Sequence, residues 1–192
     1  MRIIAGEFRG RPLLPPESDT TRPITDRVKQ SLFDILAPLI DGATVYDCFA
    51  GTGSMGLECL SRGAQKAIFF EMDRSALVRL RRNIQTLKVE PATTVIATDI
   101  FRYFSGHPTL PPADLIFLDS PYRFLTECPE PLRALAGQLA GCLKPDGTLI
   151  FRHDAADRLE LPALQCYDER SYGGMALELL RRPAATKHDR GG

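Results

Sequence analysis

The chain has 192 residues, and 24 lysines and arginines balance 24 acids, so its formal charge is zero. That balance does not by itself point to nucleic acid, and any such partner has to be met by a local patch. A hydrophobic content of 44% is ordinary for one globular domain, and no apolar run reaches transmembrane length. The five cysteines, Cys48, Cys59, Cys128, Cys142 and Cys166, are scattered without a C-x-x-C pair. They read as free core thiols of a cytoplasmic protein, with no metal site and no membrane contact expected.

A single domain is expected over residues 1–182. Its first stretch, Met1 to Pro16, is set apart by a Gly6 to Gly10 turn between Arg2-Ile3-Ile4-Ala5 and Arg11-Pro12-Leu13-Leu14. This predicts a small β-hairpin carrying Arg2, Arg9 and Arg11 against one acid, Glu7. Such charge serves either as protection of a strand edge or as a set of phosphate contacts. The polar run Asp19 to Arg27 then leads into a helix with Thr25 or Asp26 as N-cap and Val28, Leu32, Ile35, Leu36 and Leu39 on its apolar face.

Thr44 to Phe49 reads as a buried strand running into Gly51-Thr52-Gly53 and Gly56, with a helix under way by Leu57 and Gly63 available to end it. Glycines there let a ligand approach the backbone, and the helix presents free N–H groups. Lys66 to Phe70 is a second strand, ended by Glu71, a position suited to a ribose diol. On the glycines alone, dinucleotides and S-adenosylmethionine are not separated. Asp47, read as a carboxylate facing the cavity, repels a pyrophosphate and attracts an ammonium and a sulfonium, which favours S-adenosylmethionine. A plain loop-capping aspartate is the alternative.

Asp73 caps the next helix, with Leu77, Leu80, Ile84 and Leu87 on one face and Arg74, Arg79, Arg81 and Arg82 on a solvated one. Thr93 to Ala97 is the third strand. Beyond it, Asp99 either accepts from an adenine amine, with Ile100 and Phe101 as apolar contacts, or caps the short segment Ile100 to Phe104. Asp114 to Leu118 is a central strand ending in Asp119-Ser120-Pro121-Tyr122. Asp119 and the Ser120 carbonyl can accept both hydrogens of an –NH2 while Tyr122 stacks on the ring that bears it.

A helix from Pro129 to Lys144 and a strand from Thr148 to Phe151 follow. The pattern then turns antiparallel: Leu164 to Ser171 and Met175 to Leu180 are joined by Tyr172-Gly173-Gly174. An α/β sheet of five βα units closed by an antiparallel hairpin is a class I methyltransferase (Rossmann-like) layout, extended here by the N-terminal hairpin. Pro183 to Gly192 is a polar tail expected to be disordered.

From Met1 to about Leu180 the chain resembles the RsmD family of bacterial 16S rRNA guanine-N2 methyltransferases. The resemblance rests on Arg2 to Gly6, Thr21 to Val28, Asp47 to Gly53 with Gly56-Leu57-Glu58, Glu71 to Asp73, Asp119 to Tyr122 and Tyr172 to Gly174. It implies catalytic residues Asp119, Ser120, Pro121 and Tyr122. It implies cofactor contacts at Arg22, Thr25, Asp47, Phe49, Gly51, Thr52, Gly53, Glu71 and Met72, joined by Asp99 and Ile100 from their position. It also implies 16S rRNA contacts at the hairpin arginines, within a small-subunit particle, and a monomer is expected. The family has Asp-Pro-Pro-Tyr or Asp-Pro-Pro-Phe, so Ser120 departs from its pattern. An adenine-N6 methyltransferase would use the same tetrad; an NAD-dependent oxidoreductase and a non-catalytic rRNA-binding assembly factor are the other readings.

Overall fold

A computed structural model describes residues 1–17 and 24–184. Seven strands form one sheet: β1 (Thr44–Cys48), β2 (Lys66–Glu71), β3 (Thr93–Ala97), β4 (Ala113–Leu118), β5 (Leu143–Asp154), β6 (Gln165–Tyr172) and β7 (Met175–Arg181). Their order is β3-β2-β1-β4-β5-β7-β6. The first five are parallel, and β7 pairs antiparallel with both β5 and β6. The helices are α1 (Asp26–Leu36), α2 (Ser54–Ser61), α3 (Arg74–Leu87), α4 (Ile100–Ser105), α5 (Phe124–Glu127) and α6 (Pro129–Cys142). Strands apolar on both faces are covered on both: one core cluster joins Phe33, Leu57 and Leu80 to Phe69, the other joins Phe104, Leu132 and Leu139 to Phe70.

Boundaries differ from expectation where a tertiary contact decides them. The N-cap of α1 is Thr25, whose hydroxyl accepts from Val28 N at 3.3 Å. Pro38 then turns the chain into a short 3-10 segment, so Leu39 is exposed and Ile40 is buried instead. Helix α2 begins at Ser54, three residues ahead of Leu57, because Gly53 adopts φ 85° as its N-cap. The fifth strand is much longer than Thr148 to Phe151. Pairing with β7 carries it on to Asp154, while Lys144 to Gly147 bulges between the Leu143 and Thr148 registers.

The N-terminal stretch closes on itself as expected, with Ile3 N donating to Arg11 O at 3.0 Å and a bridge between Arg2 and Pro12. It is not an edge of the main sheet. Ile3 and Leu13 are buried in the core, and the backbone from Glu7 to Phe8 donates to Ser61 at the end of α2. Gly6 is required by this approach: at φ 83°, a Cβ there would stand 1.8 Å from the Ser61 carbonyl oxygen. The anchor is Glu58, fully buried on α2. It accepts from Ile4 N and Ala5 N at 2.8 and 3.0 Å, and ion-pairs with Lys29 at 2.9 Å and Arg62 at 2.9 Å. Burial raises the carboxyl's pKa, but Lys29 and the Ile4 N–H outweigh it and hold Glu58 below the usual range.

Candidate active site at the strand ends

The sheet changes direction between β1 and β4, and in parallel α/β sheets ligands bind at the carboxyl ends of strands at this point. Cys48 is in register with Leu118 and with Phe70, and Leu118 with Phe151. The glycine loop, Glu71, the Asp119 to Tyr122 tetrad and Arg152 therefore all emerge at one level of the sheet. Topology alone brings four separate stretches of sequence together.

Gly51 (φ 54°) and Gly53 (φ 85°) are left-handed. Their surroundings distinguish their roles. A Cβ on Gly53 would collide with Leu80 at 2.4 Å, and one on Gly56 with the Phe69 ring at 2.4 Å, so those glycines serve packing. Among the described residues a Cβ on Gly51 would meet nothing within 4 Å, which leaves the loop open on that side. Phe49 also sits at φ 61°, a strained conformation for a bulky residue and one that clusters at functional sites. It turns its ring against Phe101 and Phe124, with all three centroid separations between 5.8 and 5.9 Å. Phe124 on α5 is the aromatic that the sequence reading missed.

Asp47 lies differently from its expected place. Its carboxylate does not face open space: the residue is 2% exposed, and Oδ2 accepts from Gly56 N at 2.8 Å in the first turn of α2. Burial pushes its pKa up to about 8, against the Gly56 N–H and with help from Asp119 and Glu71. At neutral pH the group is therefore mostly protonated, and the chain does not present it as the exposed anion expected from the sequence. A cation placed above it would draw out the proton and restore the charge. For stability the sign is clear. The unfolded chain ionises near the ordinary aspartate value of 3.8, so this contribution is complete below that pH and is lost as pH rises towards 8. Asp47→Asn keeps an acceptor for Gly56 N and cannot ionise. Its stability relative to the native chain should improve by up to about 1.4 kcal/mol per pH unit across this window. Urea unfolding of both proteins at pH 5 and pH 8 measures this, and parallel pH profiles would contradict it.

Glu71 ties the loop to β2. Oε2 accepts from Gly51 N at 2.7 Å, and Oε1 from Met72 N and Asp73 N, both at 2.8 Å. Oε1 is thus filled by two N–H groups, and Oε2 keeps a second lone pair for a hydroxyl. Met72 is 64% exposed beside it, an open apolar surface among the described residues. Asp99 does cap α4, accepting from Phe101 N and Arg102 N through Oδ1. Ile100 is only 4% exposed, so its side chain belongs to the core and the half-buried Phe101 offers the apolar surface. Thr52 also points inward, its hydroxyl 3.7 Å from Met1 Sδ. Thr25 is engaged as the α1 cap, and Arg22 lies outside the described residues.

The tetrad stands at the end of β4. Asp119 Oδ1 accepts from Arg152 Nε at 2.6 Å, and the Arg152 guanidinium carbon lies 5.7 Å from the centroid of the Tyr122 ring. Ser120 is 2% exposed, and its buried hydroxyl has no hydrogen-bond partner among the described residues. Sequence reading missed Arg152 because it ended the fifth strand at Phe151. The available signal was a charge directly after a run of buried apolar residues. Of the predicted RNA contacts, Arg9 and Arg11 are exposed and Arg2 pairs with Asp26 at 2.8 Å. The α3 arginines are not only solvated: Arg79, Arg81 and Arg82 line a cleft of about 550 Å³ with Leu14 and Val78. Among the described residues no three His, Cys, Asp or Glu side chains converge as metal ligands would, and no helix is long and apolar enough to cross a membrane.

A family model described as "Conserved hypothetical protein 95" matches residues 1–181. The chain belongs to this family, the RsmD family. This RsmD-family chain is 44% identical over 123 residues to "Ribosomal RNA small subunit methyltransferase D" of Escherichia coli K12, covering 64% of this chain and 61% of that protein. It thus aligns with somewhat under two thirds of that relative's length. "Putative rRNA methyltransferase YlbH" of Bacillus subtilis is 34% identical over 165 residues, 84% of this chain and 86% of that one. Among solved structures, "Putative methyltransferase yhhF" from Escherichia coli superposes with a TM-score of 0.82 at 33% identity, covering 95% of this chain and 97% of that one. A Haemophilus influenzae putative methylase, HI0767, gives 0.71 at 33% identity over 94% and 97% of the two chains. The mostly parallel sheet, its antiparallel C-terminal hairpin and the class I methyltransferase layout agree with the sequence reading.

Proposed function

We propose that the chain transfers a methyl group from S-adenosylmethionine to the exocyclic N2 amine of a guanine in 16S rRNA of the small ribosomal subunit. The observation that supports the reading most is the register of β1 against β4, which brings the Gly51 loop and the Asp119 carboxylate out at one level of the sheet. The names of the aligned relatives support rRNA methylation, and the choice of N2 follows the family resemblance. The Gly51 turn, Glu71, Met72 and Phe101 would hold the cofactor, with Asp47 acting beneath them through its charge. When bound, S-adenosylmethionine supplies an electrophilic methyl on a sulfonium whose departing thioether is neutral, so the protein needs no general acid.

What the chain supplies is mostly geometry. An aryl amine is a poor nucleophile, because its lone pair is delocalised into the ring. Acceptance of its two hydrogens by Asp119 Oδ2 and the Ser120 carbonyl favours a pyramidal nitrogen and directs the lone pair away from the ring. Tyr122 fixes the plane of the base by stacking. As the nitrogen gains positive charge, the Asp119 carboxylate stabilises it and accepts the proton it sheds. The base must leave its stack to enter, at a cost of a few kcal/mol that a loop or partly folded RNA reduces. Transfer of labelled methyl from S-adenosylmethionine to unmodified small-subunit particles tests the reading. N2-methylguanosine is the expected product nucleoside, and N6-methyladenosine or no product would contradict it.

The exposed arginines of the N-terminal ribbon would meet the rRNA backbone. Neutralising Arg9 and Arg11 together should reduce the salt dependence of RNA binding by up to about two counterions' worth, with cofactor affinity unchanged. Arg2 should add less, since Asp26 already partners it. Filter binding across a salt series measures the slope, and an unaltered slope would remove the ribbon from the interface.

A further inference from the structure

One side chain from outside the tetrad holds both of its working groups. Arg152 follows Phe151, the register partner of Leu118, so it leaves β5 at the level where Asp119 leaves β4. Its Nε donates to Asp119 Oδ1 at 2.6 Å, and its guanidinium carbon is 5.7 Å from the centre of the Tyr122 ring. The residue is 8% exposed, pairs in register with Leu177 of β7, and has Nη1 3.7 Å from Met175 Sδ. Burial works against its charge, and Asp119 outweighs that cost and moves its pKa up. Between the two groups it holds stands Ser120, which lacks the φ restraint of a proline and has a buried hydroxyl without a hydrogen-bond partner among the described residues.

We infer that Arg152 is the positioning residue of the tetrad, holding the Asp119 carboxylate and the Tyr122 ring in place and supplying the rigidity that proline would give at position 120. The inference rests on the reading of Asp119 and Tyr122 as the receptor of the target base. A carboxylate at a strand end is free to rotate about two bonds. Engaging Oδ1 stops that rotation and leaves Oδ2 as the oxygen for the amine. The flat guanidinium over Tyr122 limits the tilt of the ring on which the base stacks. Serine at 120 frees the φ angle that proline would lock near −65°. A guanidinium touching both flanks of that residue restores the restraint from outside the chain segment. Lysine has no planar fork and would not do both.

Single-turnover methylation of small-subunit particles at saturating cofactor tests this, alongside calorimetry with S-adenosylhomocysteine. Arg152→Lys keeps the buried charge and the apolar stem, so it guards against simple loss of the fold. We expect its rate to fall about tenfold or more, with cofactor affinity held within about twofold. Introducing Ser120→Pro into the Arg152→Lys background should recover most of the lost rate, a rescue that general destabilisation would not produce. A native rate in Arg152→Lys, or a double variant as slow as the single one, would overturn the inference. Asp119→Ala run beside them separates the two ideas. A fully active Asp119→Ala sinks the base-receptor reading, whereas an inactive Asp119→Ala with a fully active Arg152→Lys sinks the role of Arg152 alone.

Discussion

Asp119→Ala should bind S-adenosylhomocysteine about as tightly as the native chain while losing roughly 10²-fold or more in single-turnover methyl transfer. The separation is expected because the proposed cofactor contacts lie on the β1 loop, at the end of β2 and on α4, whereas Asp119 follows β4 across the switch point. Its side chain is 21% exposed, enough to reach a substrate, and one oxygen is fixed by Arg152. Removing it also strands a buried guanidinium, so some loss of stability accompanies the loss of rate. Asp119→Asn controls for this. It keeps the shape and one acceptor oxygen but loses the charge and turns the other oxygen into an NH2 donor, so its rate should lie between the two. A near-native rate for the alanine variant, with intact binding, would contradict the role assigned to Asp119.

The largest effect on stability is expected at Glu58. It is the meeting point of α1, α2 and the N-terminal ribbon, and both it and Lys29 are almost wholly buried. Glu58→Gln leaves the Lys29 ammonium in the core without its counter-charge. Breaking one half of a buried pair costs about 3–5 kcal/mol, which in a chain of this size lowers the melting temperature by roughly 10 °C. Lys29→Met should cost less, because Arg62 and two backbone N–H groups still satisfy Glu58. The Ile4 and Ala5 amides should also exchange faster in Glu58→Gln. An unchanged melting temperature would show that the ribbon is held by Ile3 and Leu13 alone.

The parts of the site legible in the sequence are those whose signal is local. A β-branched run into Gly51-x-Gly53, an acid at the end of the next strand, and Asp-Ser-Pro-Tyr after a wholly apolar strand each announce themselves within about ten residues. The five parallel strands and the closing Tyr172-Gly173-Gly174 turn were readable for the same reason. What escaped depends on partners far away in sequence. Whether Asp47 faces a ligand or the first turn of α2 is decided nine residues later, by Gly56 N. Glu58 reads as an ordinary helix residue until residues 4 and 5 fold back on it. Arg152 belongs to a strand only because β7, more than twenty residues on, pairs with it. Its partner Asp119 is 33 residues upstream, beyond the reach of any local pattern.

The central claim is that the β1 loop and the β4 tetrad together deliver a methyl group to one guanine amine of small-subunit rRNA. Mass mapping of 16S rRNA nucleosides from cells with and without this gene tests it most directly. The expected result is the loss of a single N2-methylguanosine, restored by the native gene and not by the Asp119→Ala form. Unaltered N2-methylguanosine, or loss of a modified adenine in its place, would contradict it.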